Sequence, residues 1–167
     1  LETNQAAKVG PYLDQAGATD IDWTGILQSS VSSNPGSALE LATMLLGKGE
    51  TLDKGAVADM FVKASAIPQA TQFLVGALQG ESKEEDAALQ TKALEIPLTN
   101  GFPQVADDIM KSGVFLHFDK LHIAKLCEKH NVISRALQLY TEKDDIKRVI
   151  VQTQQLTPEF LVGWFGT

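Results

Sequence analysis

Three of the six prolines recur at nearly constant intervals, each close to the start of an apolar stretch. Pro68 follows Pro35 by 33 residues, Pro103 follows Pro68 by 35, and Ser134 takes the equivalent place 31 residues later. The stretch AIPQATQFL around Pro68 also resembles GFPQVADDI around Pro103. Proline is tolerated in the first turn of a helix, and two-helix solenoid repeats have this period. The spacing therefore predicts a stack of helix hairpins.

Glycine, proline and capping residues divide the sequence into about ten or eleven short helical segments. The first predicted segment is residues 5–16, with a local flaw at Pro11. The second is capped by Asp20 or Asp22 and continues through Val31, and the third is capped by Asn34, starts at Pro35 and runs to Leu46. The others are residues 52–65, 68–78, 84–96, 103–111, 119–129, 133–140, 144–152 and 158–165. Linkers of a few residues force neighbouring helices to lie antiparallel. We predict an all-α fold, an α-solenoid of short antiparallel helix hairpins, and keep a closed helical bundle as the alternative.

Composition agrees with one helical domain. The chain has 167 residues, of which 44% are hydrophobic and only 7% aromatic. That content supplies a core, and the scarcity of strand-favouring clusters favours helix. We expect residues 1–167 to form a single solenoid segment. Because the chain starts at Leu1 without methionine, we also expect it to be a fragment of a longer polypeptide.

The net charge of −7 lies entirely in the N-terminal half. Residues 1–90 hold 5 Lys against 12 Asp or Glu, whereas residues 91–167 hold 9 Lys or Arg against 9 Asp or Glu. Neither half has the basic surplus that nucleic acid or an anionic membrane requires. One cysteine cannot form an internal disulfide, which suits a reducing compartment such as the cytoplasm. No secretory signal is visible, and the apolar run of residues 64–80 contains Pro68 and three glutamines, so it does not predict a membrane span.

One stretch holds the residue types of a metal or thiol site, LHIAKLCEKHNVISRALQLY, residues 121–140. On a helical wheel His122 and Cys127 face different ways, and only Cys127 and His130 share a face, with His117 in the preceding loop. Zinc needs about four converging ligands, and a catalytic thiol needs an orienting group and an oxyanion pocket. We predict that Cys127 is a small core residue, and that the chain has no catalytic, metal or cofactor site and is not an enzyme.

Two charged clusters and three aromatic residues have structural interpretations. ESKEEDAA, residues 81–88, and EKDDIKRV, residues 142–149, place acidic side chains where a helix begins, because the helix dipole favours them there. The first cluster lacks the alternating oxygen ligands and turn glycine of a calcium loop. Trp23, Trp164 and Phe165 are expected in the core or between repeats.

Five stretches of the chain resemble the clathrin heavy-chain family. They are LQTKALEIPL, PQVADDIM, HFDKLHIAKLCEKHNVISRAL, YTEKDDIKRVIV and LTPEFLVGWFG, which together cover most of residues 89–166 in order. Upstream, TNQAAKV and DWTGIL are similar to divergent equivalents of the same region. The turn at residues 34–36 and the acidic residues 81–86 depart from the family pattern.

The resemblance implies a place in the distal leg, or ankle, of the heavy chain. In that family the leg is a right-handed stack of helix hairpins, three chains join at their C-terminal ends, and legs interweave into a polyhedral lattice. That lattice coats the cytoplasmic face of coated pits and vesicles in endocytosis and intracellular trafficking. The implied partners are other heavy-chain legs, while light-chain binding and trimerisation belong to segments outside this one. The resemblance implies no nucleic-acid partner and no membrane insertion.

Two other classes compete with this interpretation. A vacuolar-sorting tether subunit carries related helical repeats but docks membranes, and an enzymatic helical domain would need polar side chains that converge in a pocket.

The acidic half also suggests a charge-sensitive packing surface that involves Glu81, Glu84, Glu85 and Asp86. Neutralising those four residues should then change the pH or salt dependence of assembly.

Overall fold

The computed structural model describes residues 22–80 and 83–153 and the single residue Val162. Within these ranges the chain is helix and loop, without a β-strand. The predicted segments at residues 5–16 and 158–165 lie outside the described residues apart from Val162, as do Pro11, Trp164 and Phe165. The all-α prediction is confirmed for the part of the chain that can be assessed.

Nine α-helices and one short 3₁₀ turn make up the described residues. The helices are α1 Trp23–Ser33, α2 Pro35–Gly47, α3 Lys54–Lys63, α4 Ile67–Ala77, α5 Ala87–Thr99, α6 Pro103–Ser112, α7 Lys120–Lys129, α8 Ile133–Leu139 and α9 Lys143–Gln152, and the 3₁₀ turn Glu84–Asp86 precedes α5. Each predicted segment within the described ranges therefore exists, with ends that differ by at most three residues from those expected.

Successive helices pack as hairpins that stack in two layers. The pairs α1–α2, α3–α4, α5–α6 and α7–α8 are in contact, each across a link of one to three residues. In the first layer α1, α3, α5 and α7 touch in turn, and in the second layer α2 packs on α4. Helices that contact only near neighbours in sequence define a solenoid, so the closed-bundle alternative is wrong.

The repeat seen in the sequence corresponds to the second helix of each hairpin. Those helices begin at Pro35, Ile67, Pro103 and Ile133, so each predicted repeat position lies at the first or second helical residue. The missing N–H of proline costs nothing there, since the first N–H groups of a helix have no intrahelical acceptor. The proline spacing thus marks one hairpin per repeat.

Aspartate caps most of the first-layer helices. The side chains of Asp22, Asp53 and Asp119 each accept a hydrogen bond of 2.9 to 3.0 Å from a backbone N–H in the first turn of α1, α3 and α7. Asn34 caps α2 in the same way, at 3.2 Å. Asp86 stands at the equivalent place before α5 but ends the 3₁₀ turn and makes no side-chain cap. The caps predicted at Asp22 and Asn34 are confirmed.

The predicted end of α5 before Pro97 is wrong, because the helix continues through this proline to Thr99. Pro97 cannot donate to the carbonyl four residues earlier, which normally breaks a helix. Here Ile96 and Leu98 on either side are buried, and their burial offsets one lost hydrogen bond. Asn100 then ends the helix, with its backbone N and its Nδ2 both donating to the Ile96 carbonyl at 3.2 and 2.8 Å.

A continuous apolar seam runs between the two layers. Every helix from α2 to α8 has at least one fully buried alanine, and these are Ala38, Ala42, Ala58, Ala70, Ala93, Ala106, Ala124 and Ala136. The methyl side chain of alanine lets helices approach closely. Larger side chains fill the space that remains between them, among them Phe61 and Phe73, whose ring centroids are 6.2 Å apart. Trp23 is partly buried against this core, as predicted.

Candidate functional site

The histidines and the cysteine of the central stretch do not converge. Cys127 is fully buried in the apolar seam, and burial raises the pKa of its thiol to about 11. A thiol that stays protonated at neutral pH is a poor nucleophile and a poor metal ligand. His122 lies on a different face of α7, as the helical wheel predicted, with Nε2 3.6 Å from Glu95 of α5. Cys127 is therefore a core residue, as expected.

The remaining two histidines are also apart from one another. His130 is the C-cap residue of α7, and its Nε2 is buried without a hydrogen-bond partner in the part of the chain that the structure describes. His117 is exposed in the loop before α7. Among residues 22–80 and 83–153, no three His, Cys, Asp or Glu side chains are placed to hold a metal ion. The absence of catalytic, metal and cofactor sites remains a prediction.

A groove of about 610 Å³ beside the start of α5 collects polar side chains. Most of them already have structural partners within the described chain. Thr91 Oγ1 accepts from the Asp119 N–H at 2.9 Å, Lys92 pairs with Asp59, and Glu95 lies beside His122. Because these side chains bind one another or neighbouring helices, the groove is a polar contact between helices and does not have the features of a reaction site.

Gln90, in the same helix, contributes further polar contacts of this kind. Its side chain is 1% exposed, although it belongs to the polar class that usually lies at the surface. Its Oε1 accepts from the backbone N–H groups of Leu116 and His117 at 3.1 and 3.0 Å, and its Nε2 donates to the Lys83 carbonyl at 3.3 Å. One amide thereby fixes α5, the turn before it and the loop that leads to α7.

The next two residues of α5 extend these contacts in both directions along the stack. Thr91 holds Asp119, the cap of α7, through the hydrogen bond described above. Lys92 turns the other way and donates to Asp59 Oδ2 at 2.7 Å and to the Gly55 carbonyl at 3.1 Å, both in α3. Three successive side chains therefore tie α5 to both of its first-layer neighbours.

In the second layer, Asp107 of α6 holds Arg135 of α8. The Arg135 Nε lies 2.8 Å from Asp107 Oδ1, and Lys111 pairs with the other carboxylate oxygen. Burial by itself raises the pKa of Asp107, but the hydrogen bonds from Lys111 and Arg135 outweigh burial and hold that pKa below its ordinary value. The carboxylate stays ionised and keeps α6 attached to α8.

A third set of polar contacts attaches α9 to α7. We call the three sets brackets: the bonds of Gln90, Thr91 and Lys92 in α5, the Asp107–Arg135 pair, and the contacts of Glu128 with Arg148 and Tyr140. The two terminal nitrogens of Arg148 donate to Glu128, Nη1 to Oε1 and Nη2 to Oε2, the latter at 2.9 Å. The Tyr140 hydroxyl also donates to Oε2, at 2.8 Å. The hydrogen bonds from Arg148 lower the pKa of Glu128, and burial together with Glu128 raises the pKa of Tyr140 to about 12. Two parallel N–H···O bonds give such a pair a defined geometry.

Sequence reasoning found the charged clusters and missed these brackets. Asp144 and Asp145 lie in the first turn of α9, and Glu84 and Glu85 are exposed in the turn before α5, as predicted. The partner of Arg148 is instead Glu128, 20 residues away. The sequence also gave no sign that Gln90 is buried, because the polar residues Thr91 and Lys92 follow it.

The brackets and the apolar seam hold the hairpins together in different ways. Polar bonds join α3 to α5, α5 to the loop before α7, α6 to α8 and α7 to α9, while the seam between the layers is apolar. Directional bonds fix how far one hairpin turns relative to the next, and the apolar seam supplies cohesion. In the described residues, no helix is long and apolar enough to cross a membrane.

Comparison with known proteins agrees with this architecture. A family model described as the region in clathrin and VPS matches residues 48–160. Over 99% of its length the chain is 41% identical to the clathrin heavy chain of Drosophila melanogaster, 40% to the probable clathrin heavy chain of Schizosaccharomyces pombe and 39% to clathrin heavy chain 2 of Homo sapiens. It spans only 10% of each of these relatives. No solved structure matches the chain.

The resemblance seen in the sequence is thereby confirmed, and it extends to the N-terminal third of the chain, where the quoted stretches were weakest. The family-model match covers more than half of the chain, and it includes α3 to α9 with the three brackets that join them. This chain therefore belongs to the clathrin repeat family, the region in clathrin and VPS proteins, and is a repeat segment of clathrin heavy-chain type.

Proposed function

We propose that this chain is a structural segment of the clathrin coat. It forms part of a heavy-chain leg that assembles with other legs into the polyhedral lattice of coated pits and vesicles, in endocytosis and intracellular trafficking. The observation that carries the proposal is the bracketed stack of hairpins in a chain that matches clathrin heavy chains over nearly its whole length. Its function is architectural, and no catalytic step is assigned to it.

The stack suits a strut in a lattice. Each hairpin contacts only its neighbours, so stiffness accumulates along the length while small rotations between repeats remain available. Contacts between legs are weak per segment and become strong through their number. A leg of this kind needs length and a defined curvature. In the described residues an apolar seam supplies cohesion along the stack, and polar brackets fix how far one hairpin turns relative to the next.

The proposal for the whole protein follows the resemblance. Residues 1–167 form one solenoid segment of a longer leg, with a right-handed superhelix. Three chains join at their C-terminal ends, light chains bind outside this segment, and the coat lies on the cytoplasmic face of the membrane. Nucleic acid has no part in this function, since the chain is acidic overall. The proposed leg does not insert into the bilayer.

Electron microscopy of the complete parent polypeptide tests the proposal. Three-legged particles that close into cages on dialysis into assembly buffer support it. Single elongated particles that never close would replace it with the alternative, a vacuolar-sorting tether, which the same family model includes. Decoration with a Fab fragment against an exposed epitope in α7 should place this segment along the leg and not at the vertex.

A further inference from the structure

The last third of the described chain has a surplus of unpaired lysines. Residues 120–152 contain seven Lys or Arg against four Asp or Glu, a net charge of +3. Both arginines there are held in ion pairs, to Asp107 and to Glu128. The five lysines are all exposed, and none has an ion-pair partner among residues 22–80 and 83–153; they are Lys120, Lys125, Lys129, Lys143 and Lys147.

On α7 two of these lysines point away from the stack. Glu128 faces α9, where it binds Arg148, and His122 faces α5, where it meets Glu95. At about 100° per residue, Lys125 and Lys129 lie on the arc between Glu128 and His122, opposite the buried residues of the helix. Leu121 lies on the same arc and is 50% exposed.

On α9 the outward side continues this surface. Val149 faces the core and is fully buried, and Arg148 before it reaches toward α7. Lys147 is one further step of about 100° away from the core, and Val151 lies near it and is 84% exposed. We call the set Leu121, Lys125, Lys129, Lys147 and Val151 the lysine face.

The first part of the chain has the opposite charge. Residues 22–90 hold four lysines against nine Asp or Glu, a net charge of −5. Glu50 and Glu84 are exposed and without an ion pair among the described residues, and Glu85 is paired only loosely with Lys83 at 3.6 Å. Both loops that carry them lead from a second-layer helix to a first-layer helix, so they lie at the same edge of the stack. We call Glu50, Glu84 and Glu85 the acidic edge.

We propose that the lysine face binds the acidic edge of a second copy of this chain. The inference rests on the proposed function, because contact between legs is what a coat requires. Residues 120–152, with a net charge of +3, and residues 22–90, with a net charge of −5, are complementary between two antiparallel copies, and two-fold symmetry then forms the contact twice. Leu121 and Val151 lose water in such a contact, which favours a protein partner with its own apolar atoms.

The test is a charge-reversal rescue in the full heavy chain that contains this segment. The lysine-face variant is K125E/K129E/K147E, the acidic-edge variant is E50K/E84K/E85K, and the combined variant has all six changes. The control is K63E, since Lys63 is an exposed lysine of the acidic half without an ion pair among the described residues. The critical concentration for lattice assembly is measured by light scattering and sedimentation at several salt concentrations.

We expect each three-residue variant to raise the critical concentration about tenfold or more at low salt, because three exposed charge pairs are each worth a fewfold and are formed twice. The combined variant should return toward the wild-type value, and K63E should match wild type. Added salt should reduce the difference in critical concentration between the three-residue variants and wild type, because salt screens exposed charges.

Assembly of the lysine-face variant at the wild-type concentration overturns the proposal, as does a combined variant no better than its two parents. If the reversed chains misfold by circular dichroism, K125Q/K129Q/K147Q replaces them, and an unchanged salt dependence of assembly then overturns it. Binding of wild type, but not the lysine-face variant, to phosphatidylserine vesicles with unchanged assembly would assign the face to membrane instead. Wild-type chains that never form a closed lattice refute the proposed function itself, which is a separate result.

Discussion

Replacing Gln90 by methionine tests whether the buried amide holds consecutive hairpins together. Methionine keeps the unbranched length of glutamine and stays apolar, so the core around it remains filled. It removes the acceptor of the Leu116 and His117 N–H groups and the donor to the Lys83 carbonyl. The substitution therefore isolates the polar bracket from the packing of the same side chain.

The magnitude follows from which groups lose their partner. A buried donor left without an acceptor costs about 1–3 kcal/mol. Leu116 and His117 have exposed side chains, so water reaches part of their loop and the lower half of that range applies to the loss as a whole. Lys83 is exposed and its carbonyl can bind water. We therefore expect Q90M to lower the free energy of unfolding by about 1–2 kcal/mol, a measurable share of the roughly 5–15 kcal/mol of a typical domain.

Urea unfolding followed by circular dichroism gives the stability change, and amide hydrogen exchange locates it. The matched control is Q104M, since Gln104 is exposed and, among the described residues, its side chain bonds only Asp108 one turn away at 3.0 Å. Its stability change should stay within about 0.5 kcal/mol. In Q90M the amides of Leu116 and His117 should exchange at least tenfold faster. A loss below about 0.5 kcal/mol with unchanged exchange at both amides would refute the role assigned to Gln90.

Three further predictions concern the other brackets and the core. A double-mutant cycle with E128Q and R148M should give a coupling of about 1 kcal/mol by urea unfolding, and additive effects would contradict the third bracket. The pKa values of Asp107 and Glu128 are lowered in the folded chain from ordinary values of 3.8 and 4.5, so their contribution to stability is complete above about pH 5 and is lost as the pH falls through the folded values. Acid titration of D107N should remove part of that loss, and an identical acid midpoint in D107N would count against the assignment. Because the pKa of Cys127 is raised to about 11, its thiol should resist iodoacetamide at pH 8 until urea unfolds the chain, and rapid labelling of the folded protein would show that Cys127 is not buried as described.

Local sequence signals predicted most of the fold because each helix start depends on residues beside it. Asp22 and Asn34 cap the helices that follow them, and Pro35, Pro68 and Pro103 lie at the first or second residue of second-layer helices. The end of α5 was missed since the tolerance of Pro97 depends on burial of its neighbours against other hairpins, which no local pattern encodes. Local chemistry specifies where helices begin, and tertiary packing decides where this one ends.

The brackets were beyond sequence reasoning for the same reason. Lys92 and Asp59 are 33 residues apart, and Arg135 and Asp107 are 28 apart, so each pair meets only after hairpins have stacked. The helical wheel did separate His122 from Cys127, because both lie on one helix. What it lacked was the position of Glu95 on the neighbouring helix, which gives His122 its contact.

The placement of the brackets determines how the stack resists bending. A bend that separates first-layer helices must lengthen the Lys92–Asp59 pair, the Gln90 bonds and the Arg148–Glu128 pair. A bend that separates second-layer helices lengthens, among the brackets described above, only the Arg135–Asp107 pair. The apolar seam opposes both bends alike, since burial has no preferred direction. Within the described residues, more polar brackets therefore oppose a bend that opens the first layer than oppose a bend that opens the second layer.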